Sequence, residues 1–482
     1  MDRNDSRRTA PKELSADQVE RQRCFAAQVA QMHQSAGRTG ENAPGCFIQT
    51  FGCQQNEADS EQMAGLASMM GYRITADAAS AKLILVNTCA IREHAEKKAL
   101  SVIGQFKHYK DADPEVIIGV GGCMVTQQHR ADQLKHSYPY VSFIFDTGSI
   151  HTLPELLCAA LQGGKRHFLI PHAEDIAEGL PIHRETSHKA WLSVMYGCNN
   201  FCSYCIVPYT RGRERSRMPD AILAQAKELI ASGAKDITLL GQNVNSYGKD
   251  LGGGENFASL LRDIAALDGD FRLRFMTSHP KDVSSELIAV MSENEKIVRH
   301  FHLPVQSGSD GILKRMNRRY TAEKYLQTVT ALRKAMPDIS LTSDIIVGFP
   351  GETDADFEAT MDMLRAAQYD MIFSFIYSPR KGTPAAEMPD QIPHEVSTER
   401  FARLLELQNA VSLARNNRFV GRTVRVLAEE VSRTDETKIT GRGDSPRPIH
   451  FSGTPDLIGD FVNVRITSAD TFSLNAEIAG EA

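Results

Sequence analysis

Apolar strand-like runs alternate with helical stretches from about residue 46 to residue 379 of this 482-residue chain. Such alternation constrains the fold to parallel sheets covered by helices. The segment from Cys46 to about Pro171 predicts a doubly wound parallel-sheet domain. The segment from Ala190 to about Pro379 predicts a (β/α)6 partial barrel, because six runs are fewer than the eight strands of a closed barrel. Those runs begin near Leu192, Ile237, Leu273, Phe301, Leu341 and Ile372.

The two ends of the chain differ from this α/β body. Residues 1–43 are polar and predict a tail and linker with one helix, since Ser15 and Gln18 form a capping-box pattern. Near the other end, short alternating runs between Gly, Pro and Asp turns predict a small antiparallel β-barrel, a fold that commonly binds oligonucleotides. The expected domains are 1–43, 44–172, 184–414 and 417–480.

Composition narrows the setting in which the chain works. A formal charge of -6 argues against a general polyanion binder, so any contact with nucleic acid must come from local basic patches. No apolar run approaches the ~18 residues that span a bilayer, and residues 1–10 do not resemble a secretory signal. We therefore expect a cytoplasmic protein with no membrane partner, whose nine cysteines are reduced; this favours metal ligands or catalytic thiols over a disulfide framework. A monomer is also expected, although composition does not bear on the oligomeric state.

Three cysteines stand close together directly after the first strand-like run of the barrel. Cys198, Cys202 and Cys205 form a CxxxCxxC pattern, with the aromatic Tyr204 before the last cysteine. A structural zinc site and an ordinary [4Fe-4S] cluster each need four protein ligands, whereas three thiolates leave one iron open for a substrate or cofactor. The pattern favours an open cluster. A zinc site whose fourth ligand lies elsewhere in the chain stays open as the alternative.

Three further cysteines each follow a strand-like run of the doubly wound domain. They are Cys53, Cys89 and Cys123, each within a turn of small or polar residues. Because the carboxyl ends of parallel strands meet at one edge of a sheet, we expect these thiols to converge in a second three-thiolate site. The alternative is that each is a small buried hydrophobic residue. Cys158 lies at helical spacing and is predicted to belong to the core.

Polar loops follow the other strands of the barrel and are expected at its mouth, where βα-barrel active sites lie. One of these loops contains Gly241, Gln242 and Asn243. Arginines near the same mouth are candidates for phosphate contacts, with solvated surface as the alternative. These arginines are Arg211, Arg213, Arg215, Arg217, Arg315, Arg318 and Arg319. Three histidines of the barrel are expected to be satisfied core residues, with residues of the mouth as the alternative; they are His279, His300 and His302.

The CxxxCxxC motif on the first loop of a six-unit barrel resembles the radical S-adenosylmethionine (SAM) superfamily. Residues 50–60 (TFGCQQNEADS), 87–92 (NTCAIR) and 121–124 (GGCM) resemble the amino-terminal domain of methylthiotransferases, and the carboxyl-terminal segment is similar to their TRAM domain. Residues 53–56 (CQQN), 208–212 (PYTRG) and 240–248 (LGQNVNSYG) look like the branch that modifies N6-isopentenyladenosine in tRNA. Pro446 and Ala476 depart from the family pattern of the TRAM-like segment.

The resemblance implies a tRNA methylthiotransferase that converts N6-(dimethylallyl)adenosine at tRNA position 37, beside the anticodon, to 2-methylthio-N6-(dimethylallyl)adenosine. It implies that Cys198, Cys202 and Cys205 hold a [4Fe-4S] cluster that cleaves SAM to a 5′-deoxyadenosyl radical. It further implies that the other triplet holds a second [4Fe-4S] cluster, which supplies or carries the sulfur, while a second SAM gives the methyl group. The expected SAM contacts are Tyr204, Gly241, Gln242 and Asn243.

The implied partners are a tRNA anticodon stem-loop carrying N6-isopentenyladenosine and a reducing electron donor, and no catalytic residue is expected beyond the cluster ligands. The C2 hydrogen of adenine has no useful acidity, so a tuned carboxylate base would be ineffective and a radical is needed. Two alternatives stay open within the same class: a methylthiotransferase that acts on threonylcarbamoyladenosine in tRNA, and one that acts on a ribosomal-protein aspartate. A third alternative is a non-catalytic, metal-stabilised RNA-binding protein, which the terminal β-barrel would also suit.

Overall fold

The structure is a computed structural model that describes residues 13–91, 93–168, 170 and 175–480. Residues 1–12 of the predicted tail, Arg92 of the family motif and the expected boundary at residue 172 lie outside the described residues. Within the described ranges, no helix combines the length and the apolar character needed to cross a bilayer.

The amino-terminal domain is built on a five-stranded parallel sheet with the strand order β2-β1-β3-β4-β5. Its strands are β1 Gly45–Thr50, β2 Arg73–Ile74, β3 Ala81–Thr88, β4 Ile117–Gly122 and β5 Phe143–Phe145. Its helices are α1 Ala16–Ser35, α2 Gln54–Met69, α3 Glu93–Gln105, α4 Lys107–Ala112, α5 Gln128–Ser137 and α6 Leu153–Leu161. Leu83 and Leu85 of β3 join the core under α1, α2 and α6, whereas Ile84 and Val86 join the core under α3 and α5. Helices on both faces of the sheet confirm the predicted doubly wound fold.

Helix α1 belongs to this domain rather than to a solvated tail. The capping box predicted from Ser15 and Gln18 is present, with each side chain bonded to the other residue's backbone. Ala26 and Val29 are buried in the core shared with α6, and the ring of His33 meets the ring of Tyr72 edge-on at 4.6 Å. The prediction of a polar tail and linker is therefore wrong for residues 16–35, because one face of the helix is covered by the domain. Cys158 of α6 lies in the same core, as predicted.

The central domain confirms the predicted six-stranded partial barrel. Its parallel strands are β6 Lys189–Ser193, β9 Asp236–Leu240, β10 Arg272–Phe275, β11 His300–His302, β12 Ser340–Val347 and β13 Met371–Ile376. A short antiparallel pair, β7 Met195–Tyr196 and β8 Arg215–Ser216, flanks the first loop. The helices are α7 Val207–Thr210, α8 Pro219–Ala231, α9 Phe257–Ala265, α10 Ser285–Glu293, α11 Asp310–Arg315, α12 Ala322–Ala335, α13 Asp354–Ala367 and α14 His394–Asn417. A parallel bridge joins Leu273 of β10 to Ile297, in the segment that leads into β11.

The carboxyl-terminal segment forms a closed barrel with the strand order β14-β15-β16-β18-β17, which confirms the predicted small β-barrel. Its strands are β14 Thr423–Val431, β15 Lys438–Arg442, β16 Pro448–Ser452, β17 Phe461–Ala469 and β18 Leu474–Ile478. The pairing is antiparallel except between β16 and β18. Arg272, at the start of β10, donates to the Arg442 carbonyl at 2.8 Å, and Arg274 donates to the Asp444 carbonyl at 2.8 Å. The small barrel is therefore docked at the amino ends of the central strands, and the turn that precedes Pro446 makes part of this contact.

Candidate functional site

The CxxxCxxC cysteines lie on the loop between β7 and α7, at the carboxyl end of β6; we call Cys198, Cys202 and Cys205 the loop site. Cys198 and Cys202 are buried and Cys205 is half-buried. The Cys205 amide donates to the Cys202 carbonyl at 2.9 Å, which folds the last two cysteines into one turn. All nine cysteines lie among the described residues and none is in a disulfide, so the three thiols remain available as ligands.

Contacts from the far side of the barrel hold the loop in shape. The Asn317 side-chain amide donates to the Phe201 carbonyl at 2.9 Å and to the Asn200 carbonyl at 3.1 Å. The Ser203 amide donates to the Met316 carbonyl at 3.1 Å. Phe201 itself has a left-handed backbone, with φ of 47°, which costs energy for a residue with a side chain. Tertiary hydrogen bonds therefore impose a loop conformation that the local sequence would not choose.

A buried arginine lies against the loop site. The Arg318 Nη1 donates to the Cys202 sulfur at 3.5 Å, while its Nη2 donates to the Pro304 carbonyl at 2.7 Å and its Nε to the Tyr320 hydroxyl at 3.0 Å. Only 4% of Arg318 is exposed. A guanidinium in this position places a fixed positive charge beside one ligand thiol, where a thiolate would need a counter-charge.

The other three cysteines meet at the carboxyl edge of the amino-terminal sheet; we call Cys53, Cys89 and Cys123 the scattered site. Cys53 follows β1, Cys89 follows β3 and Cys123 follows β4. Gly52, directly before Cys53, packs against Cys89: a Cβ added at Gly52 would lie 2.9 Å from the Cys89 sulfur. The Cys123 amide donates to the Thr88 carbonyl at 2.9 Å, and Cys53 and Cys89 both act electrostatically on the Cys123 thiol. The structure thus brings together the cysteines that the strand pattern predicts.

One asparagine ties the strand ends of the scattered site together. The Asn56 side-chain amide donates to the Phe51 carbonyl at 2.8 Å and to the Thr88 carbonyl at 2.9 Å. Its side-chain oxygen accepts from the Arg211 Nη2 at 2.8 Å. Asn56 is fully buried at the first turn of α2, so each of these bonds replaces one that water cannot make. Because Asn56 follows Cys53 by only three residues, the turn that carries Cys53 is bonded directly to Thr88, the residue before Cys89.

Burial raises the pKa of one thiol of the scattered site, Cys123, and of two thiols of the loop site, Cys198 and Cys205. Burial raises the pKa of Cys123 to about 12, with Arg211 acting against it and the Cys89 and Cys53 thiols adding to it. Burial likewise raises the pKa of Cys198 to about 12, and it raises the pKa of Cys205 above the ordinary range. Buried thiols of this kind become thiolates when a metal group supplies the compensating charge.

The two sites suit clusters better than a single ion. In a [4Fe-4S] cluster each thiolate binds a different iron, so the ligand sulfurs stand apart from one another. Each site offers three thiols, two buried and one half-buried, which fit a cluster with one open iron. This donor set argues against the zinc alternative, which needs four ligands around one ion.

Unpartnered polar atoms line the barrel mouth next to the loop site. Within the described residues, these buried atoms have no hydrogen-bond partner: Asn243 Oδ1, Asn245 Oδ1 and Nδ2, Ser278 Oγ and His279 Nε2. They follow β9 and β10, and the Val244 amide joins the two loops by donating to the Thr277 carbonyl at 3.1 Å. Buried polar atoms without partners are costly, which indicates a polar ligand at this position. Uncharged donors and acceptors beside Lys281 suit the adenosine and amino-acid groups of SAM.

The four residues expected to contact SAM lie around the loop site but differ in what they do. Gln242 accepts a hydrogen bond from the Gly197 amide through its side-chain oxygen, so it positions the residue directly before Cys198. Asn243 donates to Asp282 at 2.8 Å and keeps its own oxygen unpartnered. Gly241 lies close to Met195, where an added Cβ would come within 2.6 Å of the Met195 side chain. Tyr204 is half-buried against Phe349, with ring centroids 6.5 Å apart. Their contact with SAM stays a prediction.

The structure divides the arginines that were candidates for RNA contacts. Arg211, Arg217 and Arg318 are buried and bonded inside the protein, so they are removed from the predicted set. Arg217 forms a salt bridge with Glu178 at 2.6 Å. The other four keep some exposure; Arg315 is held by Asp390 and Pro350, Arg215 is half-buried, and Arg213 and Arg319 are exposed.

Two of the three histidines are satisfied core residues, as predicted. His300 and His302 both bond the Thr342 hydroxyl, at 2.9 and 3.0 Å. The prediction is wrong for His279, whose Nε2 is buried without a partner. Burial, with help from Arg318 and Lys281, lowers the pKa of His279 far below its ordinary value, so the ring is neutral.

Sequence reasoning also missed Asn56, Asn245 and Asn317 as site residues. Asn56 and Asn245 lie inside family motifs, so their spacing from Cys53 and Gln242 was the available signal.

Comparison with known proteins agrees with this geometry. The description "Radical SAM superfamily" matches residues 192–364, "Uncharacterized protein family UPF0004" matches residues 45–146 and "TRAM domain" matches residues 417–479. Among solved structures, the radical S-adenosylmethionine methyltransferase TsrM from Kitasatospora setae aligns with a TM-score of 0.54 at 15% identity, covering 71% of this chain and 75% of that chain. At that identity the likeness concerns the fold alone.

Relatives in sequence are much more similar. The tRNA-2-methylthio-N(6)-dimethylallyladenosine synthase of Thermoanaerobacter sp. (strain X514) is 48% identical over 432 residues, which cover 89% of this chain and 92% of that protein. The protein of the same name from Acetivibrio thermocellus is 46% identical over 467 residues, covering 96% of this chain and 97% of that protein. The family predicted from the cysteine motifs is thereby confirmed: the chain belongs to the tRNA-2-methylthio-N(6)-dimethylallyladenosine synthase family of radical SAM proteins.

Proposed function

We propose that this chain is a tRNA methylthiotransferase that converts N6-(dimethylallyl)adenosine at tRNA position 37 to 2-methylthio-N6-(dimethylallyl)adenosine. The observation that carries the proposal is the pair of cysteine triplets at the carboxyl edges of two adjoining parallel sheets. The choice of substrate is supported by relatives of that name at 46% to 48% identity. Both triplets are accounted for in such a reaction, because one site starts the radical chemistry and the other provides sulfur.

The loop site supports the SAM-dependent step. Cys198, Cys202 and Cys205 would hold a [4Fe-4S] cluster with one open iron, and such a cluster would supply the electron for cleavage of SAM. The chain's own part is positional: Asn317 and Gln242 fix the loop, and burial of the thiols excludes water from the site. The unpartnered atoms that follow β9 and β10 are the proposed contacts for SAM, next to the expected contacts in residues 241–243.

The scattered site supports the sulfur-transfer step. Cys53, Cys89 and Cys123 would hold the second [4Fe-4S] cluster, again with one iron that has no protein ligand. The buried residues Ala90, Cys123 and Ile206 touch one another, so the scattered site adjoins the chain just beyond Cys205. The sulfur source would therefore lie beside the loop that holds the site of SAM cleavage. A second SAM molecule would supply the methyl group.

The RNA partner is expected at the same mouth. A base in an anticodon loop can be splayed out and held in a pocket, which a base inside a duplex cannot. Exposed Arg213 and Arg319 remain the best placed candidates for phosphate contacts, and the terminal barrel is the second proposed RNA-binding element. The reducing electron donor, a cytoplasmic setting and a monomeric state are further parts of this proposal. The TRAM family match supports only the RNA contact.

Nucleoside mass spectrometry of tRNA tests the proposal directly. A strain that lacks this gene should lose 2-methylthio-N6-(dimethylallyl)adenosine and accumulate the unmodified N6-(dimethylallyl)adenosine, and the reintroduced gene should restore the product. Unchanged tRNA would contradict the proposal and favour a ribosomal-protein substrate. Loss of a methylthio group from threonylcarbamoyladenosine instead would favour the other tRNA substrate. A colourless protein that contains zinc and no sulfide would favour the non-catalytic alternative.

A further inference from the structure

We propose that Arg211 is a positioning residue for the scattered site, where its guanidinium sets the reduction potential of the cluster held by Cys53, Cys89 and Cys123. The inference rests on the proposed function, since it presupposes a cluster at that site. Arg211 was expected to contact RNA, but only 6% of it is exposed. Its charge is directed inward, away from any nucleic acid.

The contacts of Arg211 place its charge beside the ligand thiols. Its Nη2 lies 2.7 Å from Asp59 Oδ2 and 2.8 Å from Asn56 Oδ1. The same Asn56 oxygen also accepts from the Cys53 thiol at 3.8 Å, so the guanidinium and this thiol share one acceptor atom. Arg211 also acts electrostatically on Cys123. Asn56 is the residue that joins the strand ends of the scattered site. The Asn56 side chain therefore holds both the Arg211 guanidinium and the strand ends that carry the cysteines of the scattered site.

The guanidinium crosses a domain boundary to reach this position. Arg211 directly follows α7 in the central domain, whereas Asp59 and Asn56 lie on α2 of the amino-terminal domain. The Asp59 side chain is itself only 4% exposed, and its other oxygen accepts from Gln55, which also donates to Ser193 of β6 at 2.9 Å. The scattered site thus receives its cation only when the two domains are docked.

A buried cation changes the energy of reduction in a defined direction. An added electron makes a thiolate-bound cluster more negative, and a nearby positive charge favours that state, more strongly inside a protein than in water. Arginine keeps its charge when buried, so removing it lowers the potential. Asp59 acts in the opposite sense, because it partly neutralises the guanidinium. Replacing Arg211 and replacing Asp59 should therefore shift the reduction potential in opposite directions, which a general loss of packing would not do.

The test uses the full-length chain carrying Cys198→Ala, Cys202→Ala and Cys205→Ala, reconstituted anaerobically so that only the scattered site can hold a cluster. The midpoint potential is measured by redox titration monitored by electron paramagnetic resonance. Adding Arg211→Met should shift the potential to more negative values, and adding Asp59→Asn should shift it to more positive values. Arg217→Met is the matched control, because Arg217 is buried in the same segment but pairs with Glu178, and it should leave the potential unchanged.

The outcomes separate this inference from the proposed function. A parent chain that binds far fewer than about four irons would contradict the second cluster itself. A parent that binds them, with no shift in either variant or with shifts of the same sign, would overturn the role of Arg211 alone. If Arg211→Met does not retain its cluster, the inference is tested with the Arg211→Lys and Asp59→Asn variants instead. The lysine variant keeps the charge and should stay near the parent potential, and failure of Asp59→Asn to shift upward would overturn the inference.

Discussion

The loop site and the scattered site hold the same number of thiols but are specified in different ways. The loop site lies within residues 198–205, and its sequence spacing alone identifies it. The scattered site depends on the strand order of a five-stranded sheet, which brings Cys53, Cys89 and Cys123 to one edge. A ligand set on one loop can be recognised from a motif, whereas a ligand set on three strands exists only if the topology is right.

The two sites nevertheless share two local structural features, a glycine with positive φ before a cysteine and a buried arginine. A glycine with positive φ directly precedes a cysteine at Gly197 (77°), Gly52 (121°) and Gly122 (97°). Each site also has one buried arginine next to its thiols. Arg318 comes from the same barrel as the loop site, but Arg211 crosses from the central domain to the scattered site. The loop site is therefore complete within one domain, and the scattered site is not.

The largest expected difference between the sites is in the chemistry they support. Cys198→Ala should reduce 5′-deoxyadenosine formation by at least about a hundredfold, because the loop site is where SAM is cleaved. Cys53→Ala should keep that activity within about tenfold of the parent but yield no methylthio product. Mass spectrometry of 5′-deoxyadenosine and of the modified nucleoside measures both. The exposed Cys24→Ala is the control. Equal loss of SAM cleavage in Cys198→Ala and Cys53→Ala would contradict separate roles.

The glycines that precede the cysteines provide the next test. An alanine at Gly122 would place a Cβ 2.4 Å from the Thr88 carbonyl oxygen, and one at Gly197 would place it 1.9 Å from the Arg213 carbonyl oxygen. Both also require a left-handed backbone, so each variant should lose about 3 to 5 kcal/mol of stability. Gly212→Ala, at a positive φ with open space around it, should lose only about 1 kcal/mol.

Thermal unfolding and iron content measure these effects in parallel. Gly122→Ala should lose iron from the scattered site and keep SAM cleavage, whereas Gly197→Ala should lose SAM cleavage. Stability losses as small as that of Gly212→Ala would show that the backbone yields at these turns. The pairing of glycine with cysteine would then be unrelated to ligand geometry.

The sequence predicted the elements that depend on strand pattern and ligand spacing. The six barrel strands, the doubly wound sheet and the convergence of Cys53, Cys89 and Cys123 all follow from where apolar runs end, because parallel strands align their carboxyl ends. Helix α1 was assigned to a tail because its sequence is polar on most sides. Its few apolar residues, such as Val29, show their role only against α6.

The direction of the arginines could not be predicted from sequence. Arg211 and Arg318 lie among other basic residues near the mouth, and a run of basic residues usually indicates a solvent-exposed surface. Whether one guanidinium faces water or a buried carboxylate depends on residues far away in sequence, such as Asp59 for Arg211. His279 was misjudged for the same reason: a histidine in the core and one that faces a ligand pocket have the same neighbours in sequence.

The asparagines that frame the sites should differ in effect, although both donate to two backbone carbonyls. Asn56→Ala removes three buried hydrogen bonds, to the Phe51 carbonyl, the Thr88 carbonyl and the Arg211 guanidinium, so at about 1 kcal/mol each we expect a loss of about 3 kcal/mol. The Thr88 carbonyl keeps the Cys123 amide and Arg211 keeps Asp59. Asn317→Gly keeps the left-handed backbone at φ 61° and exposes half-buried carbonyls to water, so we expect about 1 to 2 kcal/mol.

Iron content and the midpoint of thermal unfolding distinguish the two variants. Asn56→Ala should lose iron from the scattered site alone, while Asn317→Gly should weaken the loop site alone. Asn317→Ala adds the cost of a left-handed alanine and should be about 1 kcal/mol less stable than Asn317→Gly. Equal stability of these two would mean that the backbone strain at this residue is unimportant.

The smallest expected effect concerns the docking of the amino-terminal domain onto the central domain, which the scattered site requires and the loop site does not. Glu61 lies on α2, near the segment that leads into the central domain, and its carbonyl accepts from the His183 amide at 3.0 Å. Burial raises the pKa of Glu61 to about 7 from an ordinary 4.5; Arg184 acts against the shift, and Glu57 and Glu185 add to it. A carboxyl with a raised pKa in the folded state stabilises the fold when protonated. Its contribution is complete below about pH 4.5 and is lost as the pH rises through about 7.

Glu61→Gln should therefore raise stability at pH 8 by up to about 1 kcal/mol, after allowance for solvent screening of a half-buried group, and change little at pH 4.5. Thermal unfolding of the variant and the parent at both pH values measures the difference. An equal gain at both pH values would mean that the glutamine packs better and that ionisation is not involved. Because the loop site lies wholly in the central domain, SAM cleavage at pH 8 should be the same in the variant and the parent. A change in SAM cleavage would show that the loop site also depends on how the domains dock.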